Sequence, residues 1–213
     1  MISVLIVDDH TVVRRGLREL LDKQPDLNVV AEASNGLQAI KLARQFRPNV
    51  VLLDLNLPDI TGLEVTKRLT QRLPIINIVI LSACSHELIS SRLLRAGAGG
   101  YVLKEDSPEN LIAAIKSVGK GKPYLSPMLM QKLALKSRSD QDGLFDSLTN
   151  QELELVLMFI RGMKPKKIAE LLSLSPKTIS SYHQKIFQKL GVKTDVEITF
   201  LALKHGLLQV VEK

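Results

Sequence analysis

The fold of this chain is indicated by one stretch, Asn49-Val-Val-Leu-Leu-Asp-Leu-Asn-Leu-Pro-Asp-Ile-Thr-Gly62. Its apolar run, Val50 to Leu53, has polar residues on both sides, which is typical of a strand buried on both faces of a parallel sheet. Asp54 ends that strand, and Pro58 with Gly62 predicts a turn after it. In open α/β sheets, ligands bind at the carboxyl ends of strands. An aspartate there can also simply cap a turn, and the rest of the chain decides between these roles.

Composition limits the class of protein. The 213 residues, 45% of them hydrophobic, are enough for one large domain or two small ones with a buried core. The single cysteine, Cys84, excludes an internal disulfide and a cysteine-based metal cluster, and it fits a reducing cytosol. No apolar run approaches the roughly 18 residues of a membrane span, and the N-terminus is not a signal peptide. We therefore expect a cytoplasmic protein with no membrane partner.

Positive charge is concentrated in one part of the sequence. The formal net charge is +7, and the window from Arg161 to Lys193 holds eight basic residues and one acidic residue, Glu170. The remaining chain has 21 basic and 21 acidic residues. Lysine-rich stretches are often only solvated faces, but so narrow a concentration favours a surface that binds a polyanion such as nucleic acid.

The first half of the chain alternates apolar strands with amphipathic helices. Five such pairs within about 120 residues predict an α/β fold with a doubly wound, five-stranded parallel sheet. Polar residues follow four of these strands: Asp8 and Asp9, Asp54, Ser82, and Lys104. Because the carboxyl ends of parallel strands meet at one edge of the sheet, we expect these side chains in one cleft.

These side chains suit phosphoryl chemistry. Carboxylates placed together need a cation, and oxygen ligands suit Mg²⁺, which commonly also contacts a phosphoryl group. An aspartate can attack phosphorus to form an aspartyl phosphate. Lys104 and the Ser82 hydroxyl can each stabilise a phosphoryl oxygen. His10 has no second histidine at ligand spacing and is interpreted as a solvated residue, and Cys84 as a small packing residue.

The set Asp8-Asp9, Asp54, Pro58, Ser82, Tyr101 and Lys104 resembles the receiver domain of bacterial two-component response regulators. The resemblance implies that Asp54 accepts a phosphoryl group from a sensor histidine kinase or a phosphotransfer protein. It also implies that Asp8, Asp9, Asp54 and the backbone carbonyl of Asn56 hold Mg²⁺. Ser82 and Tyr101 would be the switch pair that reports phosphorylation, with Lys104 on the phosphoryl group.

An enzyme with the same nucleophile is the main alternative. Haloacid-dehalogenase-like phosphatases place a second aspartate two residues after the nucleophile, where it acts as a general acid and base. This chain has Asn56 at that position, and an amide cannot carry the proton. We therefore predict a phosphoacceptor and not an enzyme.

The second half of the chain is predicted to be helical. Residues 1–121 are assigned to the receiver, 122–146 to a polar linker, and 147–213 to a small all-α domain. Thr149 and Glu152 predict a capping box at its first helix. Segment 165–172 and a helix from Pro176 are separated by a short serine-rich turn, which is the spacing of a helix-turn-helix.

This half is similar to the LuxR-type DNA-binding domain of NarL/FixJ-family response regulators. The matching pieces are Leu148-Thr149-Asn150-Gln151-Glu152, Ile168-Ala169, Ser175-Pro176-Lys177-Thr178-Ile179 and Gly206-Leu207-Leu208. Ser180-Ser181-Tyr182 and Asp195-Val196-Glu197 resemble the GacA/UvrY/LetA subgroup. The resemblance implies a transcription factor that is controlled by phosphorylation, binds double-stranded DNA and has RNA polymerase as a further partner. It favours an activator, and the sequence itself does not distinguish activation from repression.

One face of the helix from Pro176 is apolar and the other is polar. Ile179, Tyr182, Ile186, Phe187 and Leu190 form the predicted core stripe. RNA is the alternative polyanion, but RNA recognition relies on exposed aromatic side chains, which this stripe would bury. The predicted DNA contacts are Lys164, Lys166, Lys167, Lys177, Thr178, Ser180, Ser181, Gln184 and Lys185.

Two further features of this domain bear on DNA binding. The family usually has Ser at the position of Lys164 and Glu at that of Lys167, so three lysines start a helix where acidic residues are favoured. We expect them to grip the DNA backbone. Helix-turn-helix proteins bind two half-sites as dimers, so a homodimer on phosphorylation is expected. The apolar set Ile198, Leu201, Ala202 and Leu207 serves either that pairing or the domain's own core.

Overall fold

The computed structural model describes residues 1–83, 86–136 and 143–207. The chain divides into two compact units, Met1–Arg138 and Ser139–Lys213. Within the described ranges, every helix is too short or too polar to cross a bilayer. Each unit is built around its own core.

The first unit is organised around a parallel sheet with strand order β2-β1-β3-β4-β5-β6. The strands are β1 (Ile2–Val7), β2 (Leu27–Ala33), β3 (Val50–Asp54), β4 (Asn77–Ser82), β5 (Gly100–Leu103) and β6 (Tyr124–Leu125). Successive residues of β1 and β3 point to opposite faces, and both faces are buried, which explains their continuous apolar runs. The register places Asp54 beside Leu81, and Ser82 beside Leu103. The strand ends therefore lie along one edge.

Helices cover both faces of this sheet. They are α1 (Thr11–Asp22), α2 (Gly36–Phe46), α3 (Gly62–Arg72), α4 (Glu87–Arg95), α5 (Pro108–Val118) and α6 (Pro127–Lys136). Leu21 of α1 and Ile115 of α5 share a buried cluster with Val4 and Ile6. The predicted doubly wound parallel fold is confirmed. Ser107 stands at the N-cap of α5, but its side chain makes no capping hydrogen bond.

The sequence missed a sixth strand. The backbone N–H of Tyr124 donates to Gly99 O at 3.0 Å, and that of Ser126 to Tyr101 O at 3.0 Å, which extends the predicted five-stranded sheet by one short edge strand. Leu129 of α6 is fully buried. The predicted linker 122–146 therefore contains a strand and a helix of the first unit, while 137–142 lie outside the described residues.

The second unit is helical. After a 3-10 helix (Leu144–Ser147) that buries Phe145, it comprises α7 (Asn150–Phe159), α8 (Pro165–Leu172), α9 (Pro176–Leu190) and α10 (Asp195–Lys204). The capping box of Thr149 and Glu152 forms as predicted. Between α8 and α9, Ser173 adopts a left-handed conformation with φ 56°, which makes the sharp turn of a helix-turn-helix.

Candidate functional site

Three charged side chains from three strand ends meet at the edge of the sheet. Asp8 follows β1, Asp54 ends β3, and Lys104 follows β5. Lys104 Nζ lies 2.9 Å from Asp8 Oδ2 and 2.9 Å from Asp54 Oδ2. The two carboxylates are almost fully buried, with side chains 1% and 2% exposed. A single ammonium therefore bridges two buried carboxylates that are far apart in sequence.

The electrostatics of this cluster follow from burial. Burial raises the pKa of Asp54 above its ordinary value, the charge of Lys104 opposes that rise, and the nearby Asp8 adds to it. Burial disfavours the charged form of Lys104, but its two carboxylate partners outweigh that effect and raise its pKa. Lys104 thus stays a cation beside the carboxylate that is the nucleophile candidate.

The same edge offers ligands for a cation. Ligand atoms of Asp8, Asp9, His10 and Asp54 all lie within 4.8 Å of one another. Asp9 Oδ1 is buried and accepts no hydrogen bond, although His10 Nδ1 is 2.8 Å away. A buried carboxylate oxygen without a hydrogen bond is costly, and a hard cation would satisfy it. The donor set therefore fits Mg²⁺, the predicted metal.

His10, a solvated residue by its sequence pattern, lies at the rim of this cluster. Its side chain is 66% exposed, yet its Nδ1 stands beside Asp9 and 3.4 Å from Asp8 Oδ1. Its backbone N–H donates to Asp8 Oδ1 at 2.8 Å. The turn of the backbone after β1 places the His10 ring beside the two aspartates, and spacing along the sequence does not show such a turn.

The remaining predicted receiver residues surround this cluster. Ser82, at the end of β4, is 1% exposed, and Tyr101, within β5, is fully buried. The backbone N–H of Asn56 donates to Asp54 Oδ1 at 3.3 Å, and its side chain is exposed. The structure thus brings Asp8, Asp9, Asp54 and Lys104 together. Cys84 lies outside the described residues.

In the second unit, polar side chains line the exposed face of α9. Lys177, Ser180, Ser181, Gln184 and Lys185 are exposed, whereas Thr178 is half-buried. A shallow depression of about 340 Å³ on this face is lined by Ser175, Lys177, Thr178, Ser181, Tyr182 and Lys185. Of the predicted DNA contacts on α9, Lys177, Thr178, Ser181 and Lys185 line this depression, whereas Ser180 and Gln184 are exposed outside it.

Tyr182 lies on this surface and not in the core. Ile179, Ile186 and Leu190 are buried as predicted, but Tyr182 is half-exposed and lines the depression. Lys185 Nζ lies 5.9 Å from the centre of its ring. The prediction of Tyr182 as part of the core stripe is therefore wrong; its ring carries a polar hydroxyl, and such amphipathic side chains often lie at the boundary of a core.

His183 packs between aromatic rings. Its ring centre is 4.4 Å from that of Phe159 and 4.3 Å from that of Phe187. Its Nε2 lies 2.6 Å from Asp195 Oδ1, at the start of α10. These contacts join α7, α9 and α10, so His183 is a structural side chain of this unit.

The three lysines at the start of α8 are exposed. Lys164 occupies the N-cap and supplies no side-chain cap. Lys166 and Lys167 follow in the first turn, and Lys167 Nζ lies 3.8 Å from Glu170 Oε2. The unfavourable placement predicted from sequence is therefore present, with one weak ion pair to offset it.

A further ion pair fixes α7 against α9. Lys189 Nζ donates to Glu152 Oε2 at 2.7 Å, and the backbone N–H of Thr149 donates to the same oxygen at 2.7 Å. The Glu152 side chain is 4% exposed. Burial works to raise the pKa of Glu152, but the hydrogen bonds from Lys189 and Thr149 prevail and lower it. Lys189, one of the basic residues of the charged window, therefore stabilises the packing of α9 against α7.

Known families match both units. The family described as response regulator receiver domain matches residues 4–116, and the family of bacterial regulatory proteins of the luxR type matches residues 146–202. The chain is a LuxR-type response regulator. The two matches coincide with the strand-end cleft and with the helix-turn-helix.

Relatives match this response regulator over nearly its whole length. The response regulator GacA of Pseudomonas aeruginosa is 42% identical over 210 residues, 98% of each chain. The response regulator UvrY of Escherichia coli K12 is 39% identical over 209 residues, 97% of this chain and 96% of its own. The predicted resemblance to the GacA/UvrY subgroup is confirmed, as is the interpretation as a transcriptional regulator and not an enzyme.

Solved structures give the same result. A structure of RcsB from Salmonella typhimurium has a TM-score of 0.79 at 27% identity, covering 96% of this chain and 98% of that one. RcsB from Salmonella enterica serovar Typhimurium bound to promoter rprA in the presence of the phosphomimetic BeF3- has a TM-score of 0.73 at 28% identity. In that case 94% of this chain and 98% of the other are covered.

Proposed function

We propose that Asp54 accepts a phosphoryl group from a sensor histidine kinase or phosphotransfer protein, and that this controls DNA binding by the second unit. The bridge from Lys104 to Asp8 and Asp54 carries the proposal, because it places a permanent cation on a buried carboxylate nucleophile. Asp54 Oδ attacks phosphorus, and the donor's bond to phosphorus breaks. Lys104 then moves its contact from the carboxylates to a phosphoryl oxygen.

Mg²⁺ is the cofactor that suits this step. Asp8, Asp9, Asp54 and the backbone carbonyl of Asn56 would hold it, and when bound it neutralises phosphoryl oxygens. The buried Oδ1 of Asp9, which accepts no hydrogen bond, supports this assignment. The Ser82 hydroxyl would donate to a phosphoryl oxygen, and the buried ring of Tyr101 would report that contact as the second half of the switch.

On DNA, we assign base reading to α9. Ser180 Oγ donates to Pro176 O at 3.1 Å, and Ser181 Oγ donates to Lys177 O at 3.0 Å. Because both hydroxyl hydrogens are engaged within the helix, these oxygens are left to accept, which suits the amino groups of adenine and cytosine in the major groove. Gln184 extends the same exposed row.

Positively charged side chains flank this row. Lys177 and Lys185 lie on α9, and Lys164, Lys166 and Lys167 lie at the start of α8, where free backbone N–H groups also suit a phosphate. Thr178 is engaged locally, with its hydroxyl 2.8 Å from Ser175 Oγ, so its contact with DNA would be made by its methyl group. These residues position the domain on the backbone while α9 reads sequence.

We also propose a homodimer on phosphorylation, acting as an activator together with RNA polymerase. Of the predicted apolar set, Ile198 and Ala202 on α10 and Leu207 after it are buried in the unit's own core, and Leu201 is half-buried, so packing explains them. The exposed apolar side chains of α10 are Val196, Phe200 and Leu203, and Val196 and Phe200 are 77% and 66% exposed. Large apolar side chains at this level of exposure suit a subunit interface, and this face supports the dimer.

The phosphorylation proposal is tested by intact-mass analysis with a small-molecule phosphodonor and Mg²⁺. We expect one phosphoryl group on the natural protein and none on Asp54→Asn. Asp9→Ala should lose metal-dependent labelling while keeping its thermal unfolding profile. Equal labelling of Asp54→Asn would refute the assignment.

The DNA and dimer proposals need separate measurements. A gel-shift comparison of duplex DNA with structured RNA should favour DNA, and tighter binding of RNA would overturn that part. Ultracentrifugation of the phosphorylated protein on a palindromic site should give two chains per duplex. Phe200→Ser should reduce that complex to one chain, and a persistent two-chain complex would exclude the α10 interface.

A further inference from the structure

An open groove of about 560 Å³ lies on the first unit, away from the strand-end cleft. It is formed between α2 and α3 and is called here the α2–α3 groove. Four basic side chains and two apolar ones line it: Lys41, Arg44, Arg68, Arg72, Leu37 and Ile40. None of these residues takes part in the phosphoacceptor site or in the DNA-binding face.

The groove is strongly positive and its cations are largely unpaired. Segments 36–47 and 62–72 contain six basic residues and one acidic residue, Glu64. That carboxylate is engaged by Arg68 Nε at 2.5 Å. In the part of the chain that the structure describes, Lys41, Arg44 and Arg72 form no ion pair.

Ordinary helix electrostatics does not account for this set. Arg44 and Arg72 lie in the last turns of their helices, where a cation complements the helix dipole. Lys41 lies one turn earlier and gains little from the dipole, and Leu37 beside it is 45% exposed. The first unit as a whole is also positive, since residues 1–138 contain nineteen basic and thirteen acidic residues.

The groove is built on a fixed frame. The Asp59 carboxylate accepts the backbone N–H groups of Gly36 and Leu37, each at 2.8 Å, and so ties the start of α2 to the loop before α3. A Cβ on Gly36 would lie 2.7 Å from Val65 Cγ2, so the two helices approach closely at this end. The groove therefore lies between two helices whose first turns are held close together.

We propose that the α2–α3 groove is a docking site for a partner protein that presents an acidic segment with an apolar side chain. Carboxylates of such a segment would pair with Lys41, Arg44 and Arg72, and its apolar side chain would cover Leu37, since Ile40 is already buried. Charge complementarity selects the acidic partner. The apolar lining selects a peptide over a nucleic-acid backbone or a free phosphate, neither of which would cover it.

The test uses the full-length protein and a short fluorescent peptide of repeated Glu-Glu-Leu, with excess duplex DNA present to occupy the second unit. We expect the variant Lys41→Gln/Arg44→Gln/Arg72→Gln to bind the peptide about tenfold more weakly, as for the loss of three exposed ion pairs. A photoreactive version of the peptide should crosslink to residues 37–46 and 63–73 of the natural protein.

A matched control separates the groove from overall charge. Lys23, Lys120 and Lys122 are also exposed on this unit, and Lys23→Gln/Lys120→Gln/Lys122→Gln removes the same charge elsewhere. It should bind the peptide within about twofold of the natural protein. Leu37→Ser should weaken the Glu-Glu-Leu peptide and leave a Glu-Glu-Ser peptide unaffected. Labelling of Asp54 in each variant checks that the unit is folded.

Each contrary result has a specific meaning. Equal losses in the groove and control variants would show attraction to net charge only and overturn the proposal. Displacement of the peptide by inorganic phosphate or ATP at comparable concentration would point to a small anion. In a separate titration, a larger loss of duplex DNA affinity in the groove variant than in the control would point to nucleic acid. Either result would overturn the protein partner.

Discussion

Replacement of Lys164, Lys166 and Lys167 by glutamine tests whether the start of α8 holds the DNA backbone. The three side chains are exposed, and none supplies a cap to the helix. Lys167 is also drawn toward Glu170 at 3.8 Å, so between two and three phosphate contacts are expected. The substitution should weaken binding to a specific site and to unrelated DNA by the same factor, because phosphate contacts carry no sequence information.

The magnitude follows from counterion release. Each phosphate contact contributes about 0.9 to the slope of log affinity against log salt, so the variant's slope should be shallower by about 1.8 to 2.7. When salt is raised from about 50 to about 200 mM, the ratio of the natural protein's DNA affinity to the variant's should fall by a factor of about 12 to 40. Fluorescence anisotropy with labelled duplexes at several salt concentrations measures both slopes.

The control is again Lys23→Gln/Lys120→Gln/Lys122→Gln, which removes three charges from the first unit. Its slope should match that of the natural protein. Glu170→Gln frees Lys167 and should steepen the slope slightly. An unchanged slope in the α8 variant would refute the backbone contact and leave these lysines as solvated residues. The α8 variant should also unfold at a slightly higher temperature, since it removes cations that oppose the helix dipole.

Three stability predictions follow from the second unit. Ser173→Gly should raise the free energy of unfolding by about 0.5–1 kcal/mol, because relief of the left-handed strain exceeds the added freedom of the unfolded chain; denaturant titration measures it, and a loss would contradict the strain. Glu152→Ala should lower stability by about 1.5–3 kcal/mol at neutral pH. Because the pKa of Glu152 is lowered in the fold, its contribution is complete above its ordinary value of 4.5 and disappears as the pH falls through the lowered value, so natural and variant proteins should converge in acid. Phe145→Ala should lower the free energy of unfolding of this unit by about 3–5 kcal/mol, measured by the same titration. A loss no larger than that caused by substituting an exposed residue would show that the ring is not part of the core.

Much of the receiver fold could be predicted because it rests on local patterns. Strands buried on both faces leave uninterrupted apolar runs, and polar residues at their ends mark the cleft, so Asp8, Asp54 and Lys104 were found together. Two residues, Tyr124 and Leu125, are too few to show a period, so β6 was missed. The bridge of Lys104 to both carboxylates depends on side-chain reach across the sheet edge, which spacing along the chain does not encode.

Charge was harder to interpret from the sequence than the strands were. The window from Arg161 to Lys193 was found because it holds eight basic residues and one acidic residue, while the charges of the rest of the chain sum to zero. Outside that window, the net positive charge of the first unit is cancelled by the net negative charge of the remaining second unit. The sum therefore gave no sign of the α2–α3 groove. The position of Tyr182 was also predicted wrongly, because helical spacing shows which face a residue is on but not whether the packing of neighbouring helices covers it.

The contacts of His183 have a consequence for operator architecture. Because its ring packs against Phe159 and Phe187 while Nε2 contacts Asp195, His183 links α9, the helix proposed to read bases, to α10, the helix proposed to pair. In a dimer joined through α10, the separation of the two reading helices is then a fixed dimension of the assembly. DNA binding by such a dimer should tolerate base changes within each half-site far better than the insertion of one base pair between the half-sites. The insertion rotates one half-site around the DNA axis, away from its helix.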